Sequence, residues 1–155
     1  MPDFTFDLQR FASGRVLTYD PKKVLVIFGG QQITGFSEDD IVTIRPLGDG
    51  MTIYAGSDAE VGRSIDPNHC FEIEISLAST SKSNDYFSNA YNQDRANGNG
   101  MKPLMIKDLS GTTLFFANEA WVQNFPESSK GRQIGAQNWT LNTGAVTDPI
   151  IGGND

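Results

Sequence analysis

The chain has 155 residues, 38% hydrophobic and 20% charged, which is enough for one domain with a single hydrophobic core. Its formal net charge of −7 argues against nonspecific binding to duplex DNA or to anionic lipid, because both need an excess of Lys and Arg. The single cysteine excludes an internal disulfide, so packing or assembly has to stabilise the fold.

The N-terminal segment, residues 1–18, is predicted to be an arm in front of one domain that spans residues 19–155. Phe4, Phe6 and Leu8 alternate with polar residues, as in an edge strand, and the turn-prone Asp20-Pro21 follows. A partly mobile terminus and an ordered arm that docks on a neighbour both fit this pattern. The segment is too charged for a secretory signal, and the chain has no apolar run near the ~18 residues of a membrane helix. We therefore expect synthesis in the cytoplasm and no membrane insertion.

Two strands are predicted next, Lys23–Phe28 and Gln31–Phe36. The Gly29-Gly30 pair between them is typical of a two-residue hairpin turn. The sequence therefore predicts a tight hairpin at the start of the domain.

Residues 41–65 are predicted to form a long hairpin, with one reversal at Gly48–Gly50 and a second polar loop at Gly56–Ala59. Its strands carry little hydrophobicity on either face, so such a hairpin is not stable alone in water. We expect it to need a partner surface, which another chain can provide. Asp39-Asp40 together with Asp49 offers acidic ligands for calcium, but the spacing lacks the alternation of an EF-hand loop, so a turn is the preferred interpretation.

The clearest pattern of the chain begins at Phe71. Apolar residues fall at 71, 73, 75 and 77 and polar residues between them, which predicts a strand with one buried and one wet face. A helix is predicted at about residues 83–96, because Phe87, Ala90 and Tyr91 follow a helical spacing. Ser83 is its candidate N-cap, and Asp85 suits the first turn.

The last third of the chain indicates further strands. A hairpin is predicted from Pro103–Asp108 and Thr112–Phe116. Asn118–Phe125 fits either a helical turn or a strand, and Gln133–Leu141 is a last strand whose alternation slips before Trp139, so its register stays open. The whole pattern is that of a mainly β protein with one helix.

Few residues suggest chemistry. His69 and Cys70 are adjacent, but strand neighbours point to opposite faces and no second His or Cys completes a zinc site. Glu72 and Glu74 share a strand face at about 7 Å, a spacing that glycosidases also use. A solvated face or the lining of an acidic channel are the alternatives. No cofactor or metal site and no enzyme activity are predicted.

Three segments in this order and spacing resemble the tail tube proteins of phages with contractile tails: YDPKKVLVIFGGQQITGF at 19–36, YAGSDAEVGRS at 54–64 and FEIEISLASTSKSND at 71–85. The resemblance spans roughly residues 19–143 and includes a late strand with a tryptophan, here Trp139. These are patterns of strands and turns rather than catalytic signatures.

The resemblance implies a β-sandwich or partial barrel with one flanking α-helix, assembled into hexameric rings with a continuous inner β-barrel. Stacked rings would form the tail tube of a virion, assembled in the host cytoplasm, through which genomic DNA passes without specific binding. The implied partners are further copies of the chain and the sheath, baseplate and tail terminator proteins. Lumen-facing candidates are Glu72, Glu74 and Thr43. Candidates for contacts between subunits are Asp49, Met51, Tyr54, Asp58 and Glu60.

Three other functions stay open at this stage. Within the same class, the chain fits a tube initiator or cap, or the tube of a related contractile injection or secretion system. As a carbohydrate- or receptor-binding β-sandwich it would need an exposed platform of Trp121, Tyr54 and Trp139. As a glycosidase it would use Glu72 and Glu74.

Overall fold

The computed structural model describes residues 16–38 and 41–154, so most of the predicted arm and Asp39-Asp40 lie outside the described residues. A short 3₁₀ turn, Pro21–Lys23, opens the domain. The strands are β1 (Val24–Phe28), β2 (Gln31–Gln32), β3 (Val42–Pro46), β4 (Met51–Ala55), β5 (Val61–Ile65), β6 (Phe71–Ala78), β7 (Lys102–Asp108), β8 (Leu114–Asn124) and β9 (Ala136–Thr143). Helix α1 (Ser83–Asn97) lies between β6 and β7.

Seven strands form one antiparallel sheet in the order β2-β1-β7-β8-β9-β6-β3. The sheet curls strongly. Val24 of β1 and Val42 of β3 line the same cleft, although four strands lie between β1 and β3 in the sheet order. The sheet nevertheless stays open, with β3 at one edge and β1 with the short β2 at the other. The mainly β fold with one helix is confirmed.

The core fills the inner face of this curled sheet. Phe87 of α1 joins its two sides, with ring centroids 5.7 Å from Phe28 of β1 and 5.4 Å from Trp139 of β9. The alternation predicted for β6 places Ile73, Ile75 and Leu77 in this core. Burial of these large side chains is the main stabilising contribution to the subunit.

Helix α1 begins at Ser83 and ends at Asn97, followed by Gly98 in the left-handed conformation with φ of 75°. The prediction that Ser83 is the N-cap is wrong, because its hydroxyl is buried and accepts a hydrogen bond from the Thr34 backbone N–H. Asn84 anchors the helix start, since its side-chain amide donates to the carbonyls of Ala78 and Ser81. The first turn of α1 is therefore fixed to β6.

Of the predicted β-sandwich or partial barrel, the sandwich is wrong. A sandwich needs two packed sheets, whereas the second sheet consists of β4 and β5 alone and all of their residues are exposed. One strongly curled, open sheet forms instead. Residues 41–65 also do not form one hairpin. Strand β3 leaves it and pairs with β6, because Val42 and Ile44 reach the core from that position.

The ambiguous segment Asn118–Phe125 continues β8 almost to its end, so it is a strand. In β9 the apparent slip in alternation disappears, because Gln137 occupies a buried position beside Trp139. The Ser128 hydroxyl donates to the Gln137 side-chain carbonyl over 2.9 Å and satisfies it there. A polar residue in the core pattern concealed the register from sequence reasoning.

Candidate assembly surfaces

The hairpin of β4 and β5 has one apolar face in solvent. Its register places six residues on that face, Met51, Ile53 and Ala55 of β4 opposite Ile65, Arg63 and Val61 of β5. We call this set the apolar hairpin face. Its four large apolar side chains, Met51, Ile53, Val61 and Ile65, are 60–76% exposed. Exposed apolar clusters of this kind are typical of protein interaction sites.

Sequence reasoning selected Met51 and missed Ile53, Val61 and Ile65, although the pairing of β4 with β5 brings them together. Tyr54, the other apolar candidate, lies on the opposite face with Thr52. The signal was present in the alternation of Met51, Ile53 and Ala55, but reading it required the register of the partner strand.

The polar candidates in the hairpin shape its ends. At the tip, the Asp58 carboxylate accepts the Glu60 backbone N–H over 3.2 Å, and the Glu60 carbonyl accepts from Gly56. At the base, the Asp49 backbone N–H donates to the Asp66 carboxylate over 2.7 Å. Asp58, Glu60 and Asp49 thus have local hydrogen-bonding roles in the structure.

Asp66 was not selected from the sequence, yet it clamps the base of the hairpin. Its carboxylate accepts backbone N–H groups from Asp49 and Asn68, and these hydrogen bonds lower the pKa of Asp66. Its own backbone N–H donates to the Gly50 carbonyl. These hydrogen bonds join the two chain segments at the base of the hairpin.

The lumen-facing candidates lie together on the outer face of the curled sheet. Thr43 of β3 is the register partner of Glu74 of β6, and Arg45 is the partner of Glu72. The Arg45 guanidinium donates to both carboxylates, at 3.2 Å to Glu72 and 3.1 Å to Glu74. Hydrogen bonds to Glu74 and then Glu72 raise the pKa of Arg45.

Arg45 therefore changes the expected charge of this surface. Sequence reasoning counted two carboxylates, and the guanidinium neutralises one of them. Strand β9 extends the surface, because Asn142 is the partner of Glu72 and Thr140 the partner of Glu74. We call Thr43, Arg45, Glu72, Glu74, Thr140 and Asn142 the polar sheet face. Such a face is wet and weakly acidic rather than strongly charged.

The sheet has backbone edges available for pairing. Strand β3 pairs with β6 alone within the described ranges, and β2 covers only the Ile27–Phe28 end of β1. Exposed edges of this kind are templates for pairing with another chain. The subunit therefore offers strand edges as well as the apolar hairpin face for assembly.

The aromatic platform required of a binding module is not formed. Trp139 is 1% exposed, and its indole N–H donates to the Asn84 side-chain carbonyl over 2.8 Å inside the core. It cannot share an exposed surface with Tyr54 of the projecting hairpin. The condition that the binding-module alternative required is therefore not met, because Trp139 packs between β9 and α1.

The proposed glycosidase pair also has a different role. Glu72 and Glu74 are held by one guanidinium on an open sheet face, which offers a glycan no enclosed site. No group of three or more His, Cys, Asp or Glu that could hold a metal ion occurs in residues 16–38 and 41–154. Over the same ranges, no helix combines the length and apolar character needed to cross a membrane.

Comparison with known proteins identifies a curated relative and several solved structures of similar fold, two of which are described below. Structural protein ORF10 of Pseudomonas phage KPP10 is 33% identical over 137 residues, which covers 83% of this chain and 79% of that protein. No protein-family model matches the chain.

The fold resembles the tube terminating cap of the anti-feeding prophage, with a TM-score of 0.55 and 15% identity over 91% of this chain and 94% of that one. It also resembles a chain of the PVC extracellular contractile injection system, solved as a sheath–tube complex in the extended state. That likeness has a TM-score of 0.58 and 14% identity over 99% and 100% of the two chains. At these identities the likeness shows the fold alone.

Proposed function

The chain belongs to the family of phage structural proteins that includes Structural protein ORF10 of Pseudomonas phage KPP10, and from this premise we propose that it is a tail tube protein. In this proposal its copies form hexameric rings, and stacked rings form the inner tube of a contractile tail. The similarity of its fold to a tube terminating cap and to a contractile injection system supports this assignment.

The observation that carries the proposal is the apolar hairpin face. Its large side chains are more than half exposed, and within the described residues the hairpin pairs with no strand of the main sheet. Leaving this much apolar surface in water is unfavourable, so a second molecule has to cover it. Rings and stacks of identical subunits supply such a cover at every position except the ends.

Ring closure also accounts for the open sheet. Strands supplied by neighbouring subunits would pair with the free β3 and β1 edges and leave no edge of the sheet exposed in the ring. The polar sheet face then becomes the candidate lining of the lumen, with Glu72, Glu74 and Thr43 as first predicted. A wet lining without excess positive charge suits a DNA conduit, because cationic walls would hold the phosphates and stall transit.

The same proposal places the protein in the tail of the virion, after assembly in the host cytoplasm. Its partners would be the sheath around the tube and the baseplate and tail terminator proteins at its ends. Of the selected assembly residues, Met51 contributes its side chain to the contact, and Asp49, Asp58 and Glu60 shape the hairpin that carries it. Tyr54 lies on the other face of the hairpin, beside Thr52.

Electron microscopy of the purified full-length chain tests the proposal, with hollow tubes as the expected result. The sharpest variant is Ile53→Asp, which places a charge in the apolar hairpin face opposite Arg63. This opposite charge keeps the hairpin itself stable, so we expect a folded subunit without tubes. Thr52→Asp, one residue away on the other face, is the matched control and should assemble.

Tubes formed by Ile53→Asp as readily as by the parent chain would overturn the role of the apolar hairpin face. A parent chain that stays monomeric at high concentration would overturn the tube itself.

A tube cap is the second candidate, favoured by the likeness to the anti-feeding prophage cap. A cap ends a stack, so one of its ring faces does not bind a further copy of itself. The same micrographs separate the two functions. Single or paired rings that never elongate indicate a cap, and long filaments indicate a tube.

A further inference from the structure

The gap in the curled sheet opens into an apolar cleft of about 600 Å³ between β1 and β3. Val24, Val42, Ile44 and Phe71 line it. The last three pack against the core but remain only partly buried. The cleft is therefore a part of the hydrophobic core that the described residues leave unfinished.

The backbone around the cleft is unfinished as well. At one end of the gap the segment after β2 bridges the two sides, since the Ile33 N–H donates to the Val26 carbonyl and the Ser37 N–H to the Ser76 carbonyl. Beyond this bridge, Val24 and Leu25 have only β7 as a strand neighbour, and β3 has only β6, among the described strands. One extended segment placed here would have a free strand edge on both sides.

A segment with the matching pattern lies near the N-terminus of the sequence, before the described residues. In residues 4–8, Phe4, Phe6 and Leu8 alternate with Thr5 and Asp7. Placed as a strand, it directs three large apolar side chains into the cleft and two polar ones to the outer face. Its five residues equal the length of β3, and its other edge would pair with Val24 and Leu25 of β1.

The chain enters the domain at the rim of this cleft. Tyr19 lines the cleft, and the Thr18 carbonyl accepts a hydrogen bond of 2.6 Å from the Asn154 side-chain amide. Before that anchor, Val16 is 87% and Leu17 58% exposed. Both apolar side chains lie at the rim of the cleft in solvent, where a contact with a second copy would bury them.

We propose that residues 4–8 of one copy insert as an additional strand between β1 and β3 of a second copy. The contact buries the apolar cleft and pairs both free edges, and Asp7 joins the outer face on which Arg45 lies. This exchange is independent of the hairpin contact, and it links copies whether they form tubes or only rings.

Cross-linking of the full-length chain tests the inference directly. Thr5→Cys and Thr43→Cys are introduced into separate Cys70→Ser proteins, which are mixed under assembly conditions and treated with a short bismaleimide. We expect a covalent dimer of the two variants, because Thr5 of one copy and Thr43 of the other lie on the same outer face. Lys130→Cys, in an exposed loop, replaces Thr43→Cys as the control and should give no dimer.

The same reagent decides between the two copies. A protein that carries both Thr5→Cys and Thr43→Cys should form covalent chains of several subunits. An internally cross-linked monomer as the only product would show that the segment fills its own cleft, and the absence of any cross-link would show that the cleft has another occupant. Either result overturns the inference.

A second set of variants measures the consequence for assembly. Phe4→Ser, Phe6→Ser and Leu8→Ser combined should abolish assembly at concentrations where the parent chain assembles, with an unchanged circular dichroism spectrum. The matched control, Thr5→Ser with Asp7→Asn, should retain assembly because it keeps the apolar residues. Normal tubes from the triple variant, alongside none from Ile53→Asp, would overturn this inference and leave the proposed function intact.

Discussion

The inner face of the curled sheet and the apolar hairpin face are built from the same kind of residue and have opposite surroundings. Around Trp139, apolar side chains from strands and helix bury one another almost completely. On β4 and β5, Ile53 and Val61 are equally apolar and stand in solvent. The first region stabilises the subunit, whereas the second can contribute only after another molecule covers it.

The difference lies in what each pattern finds nearby. Strand β6 has the neighbours β3 and β9 and the helix that follows it, so its apolar face is covered within the chain. The hairpin is clamped at its base by Asp66 and has no such neighbour among the described strands. An alternating strand therefore indicates a buried face. Whether the rest of the same chain or another molecule buries that face depends on the tertiary structure and the assembly.

The largest expected effect separates the two regions by stability. Trp139→Ala should cost about 3–5 kcal/mol of the free energy of unfolding, because it empties the centre of the core. Ile53→Ala should stay within about 0.5 kcal/mol, because that side chain is exposed in the free subunit. Urea denaturation at concentrations where both proteins are monomeric measures the contrast. Equal losses would show that the hairpin already packs within the subunit.

A smaller effect tests how the helix is held in the core. Asn84→Ala removes the acceptor of the buried Trp139 indole N–H and the donor to the Ala78 carbonyl. Leaving such groups unsatisfied should cost about 1–3 kcal/mol. Asn138→Ala, on the exposed face of β9, is the control and should leave stability nearly unchanged. A denaturation midpoint for Asn84→Ala equal to that of this control would contradict the anchoring role.

The hairpin base should respond to acid before the core does. The pKa of Asp66 is lowered below its ordinary value of 3.8 by backbone hydrogen bonds from Asp49 and Asn68. Its contribution is therefore complete above the ordinary value and is lost as pH falls through the lower folded value. The protection of the Asp49 amide against hydrogen exchange, relative to the intrinsic rate at each pH, should fall over that acid range.

The matched variant for this effect is Asp66→Asn. It should show faster exchange at the Asp49 amide already at neutral pH and no acid step there. An acid step that persists in this variant would assign the titration to another group.

The smallest effect concerns the polar sheet face. Arg45→Gln removes the cation between Glu72 and Glu74, both of which are partly solvated, so the melting temperature should change little at physiological salt and somewhat more at low salt. If this face lines the tube, the variant should assemble normally and alter DNA passage, measured as ejection kinetics. A loss of assembly would instead place Arg45 at a subunit contact.

Local sequence patterns predicted much of the fold correctly. The two-residue turn at Gly29-Gly30 has positive φ at both positions and joins β1 to β2 as predicted. The alternation from Phe71 and the helical spacing from Ser83 gave β6 and α1 nearly to their ends. In each case the signal lies within a few residues and depends on the backbone period alone.

The candidate surfaces were less accessible, because each depends on residues far apart in the chain. Glu72 and Glu74 were found from their spacing, but Arg45, which neutralises one of them, joins them only through the pairing of β3 with β6. The register of Gln133–Leu141 stayed open because the polar Gln137 occupies a buried position, where the Ser128 hydroxyl satisfies it. Asp66 became a clamp only once the chain reversed onto Asp49.

The sequence by itself determined a mainly β chain with one helix, its central strand and its tight first turn, since turn chemistry and side-chain period act over a few bonds. Tertiary structure decided that one curled sheet forms instead of two packed ones, that β3 leaves the hairpin, and which apolar faces stay in solvent. Strand pairing joins distant segments, and the free energy of each register depends on every neighbour it gains. A short stretch of sequence therefore cannot determine which strand pairing is most stable, because that depends on neighbours far away in the chain.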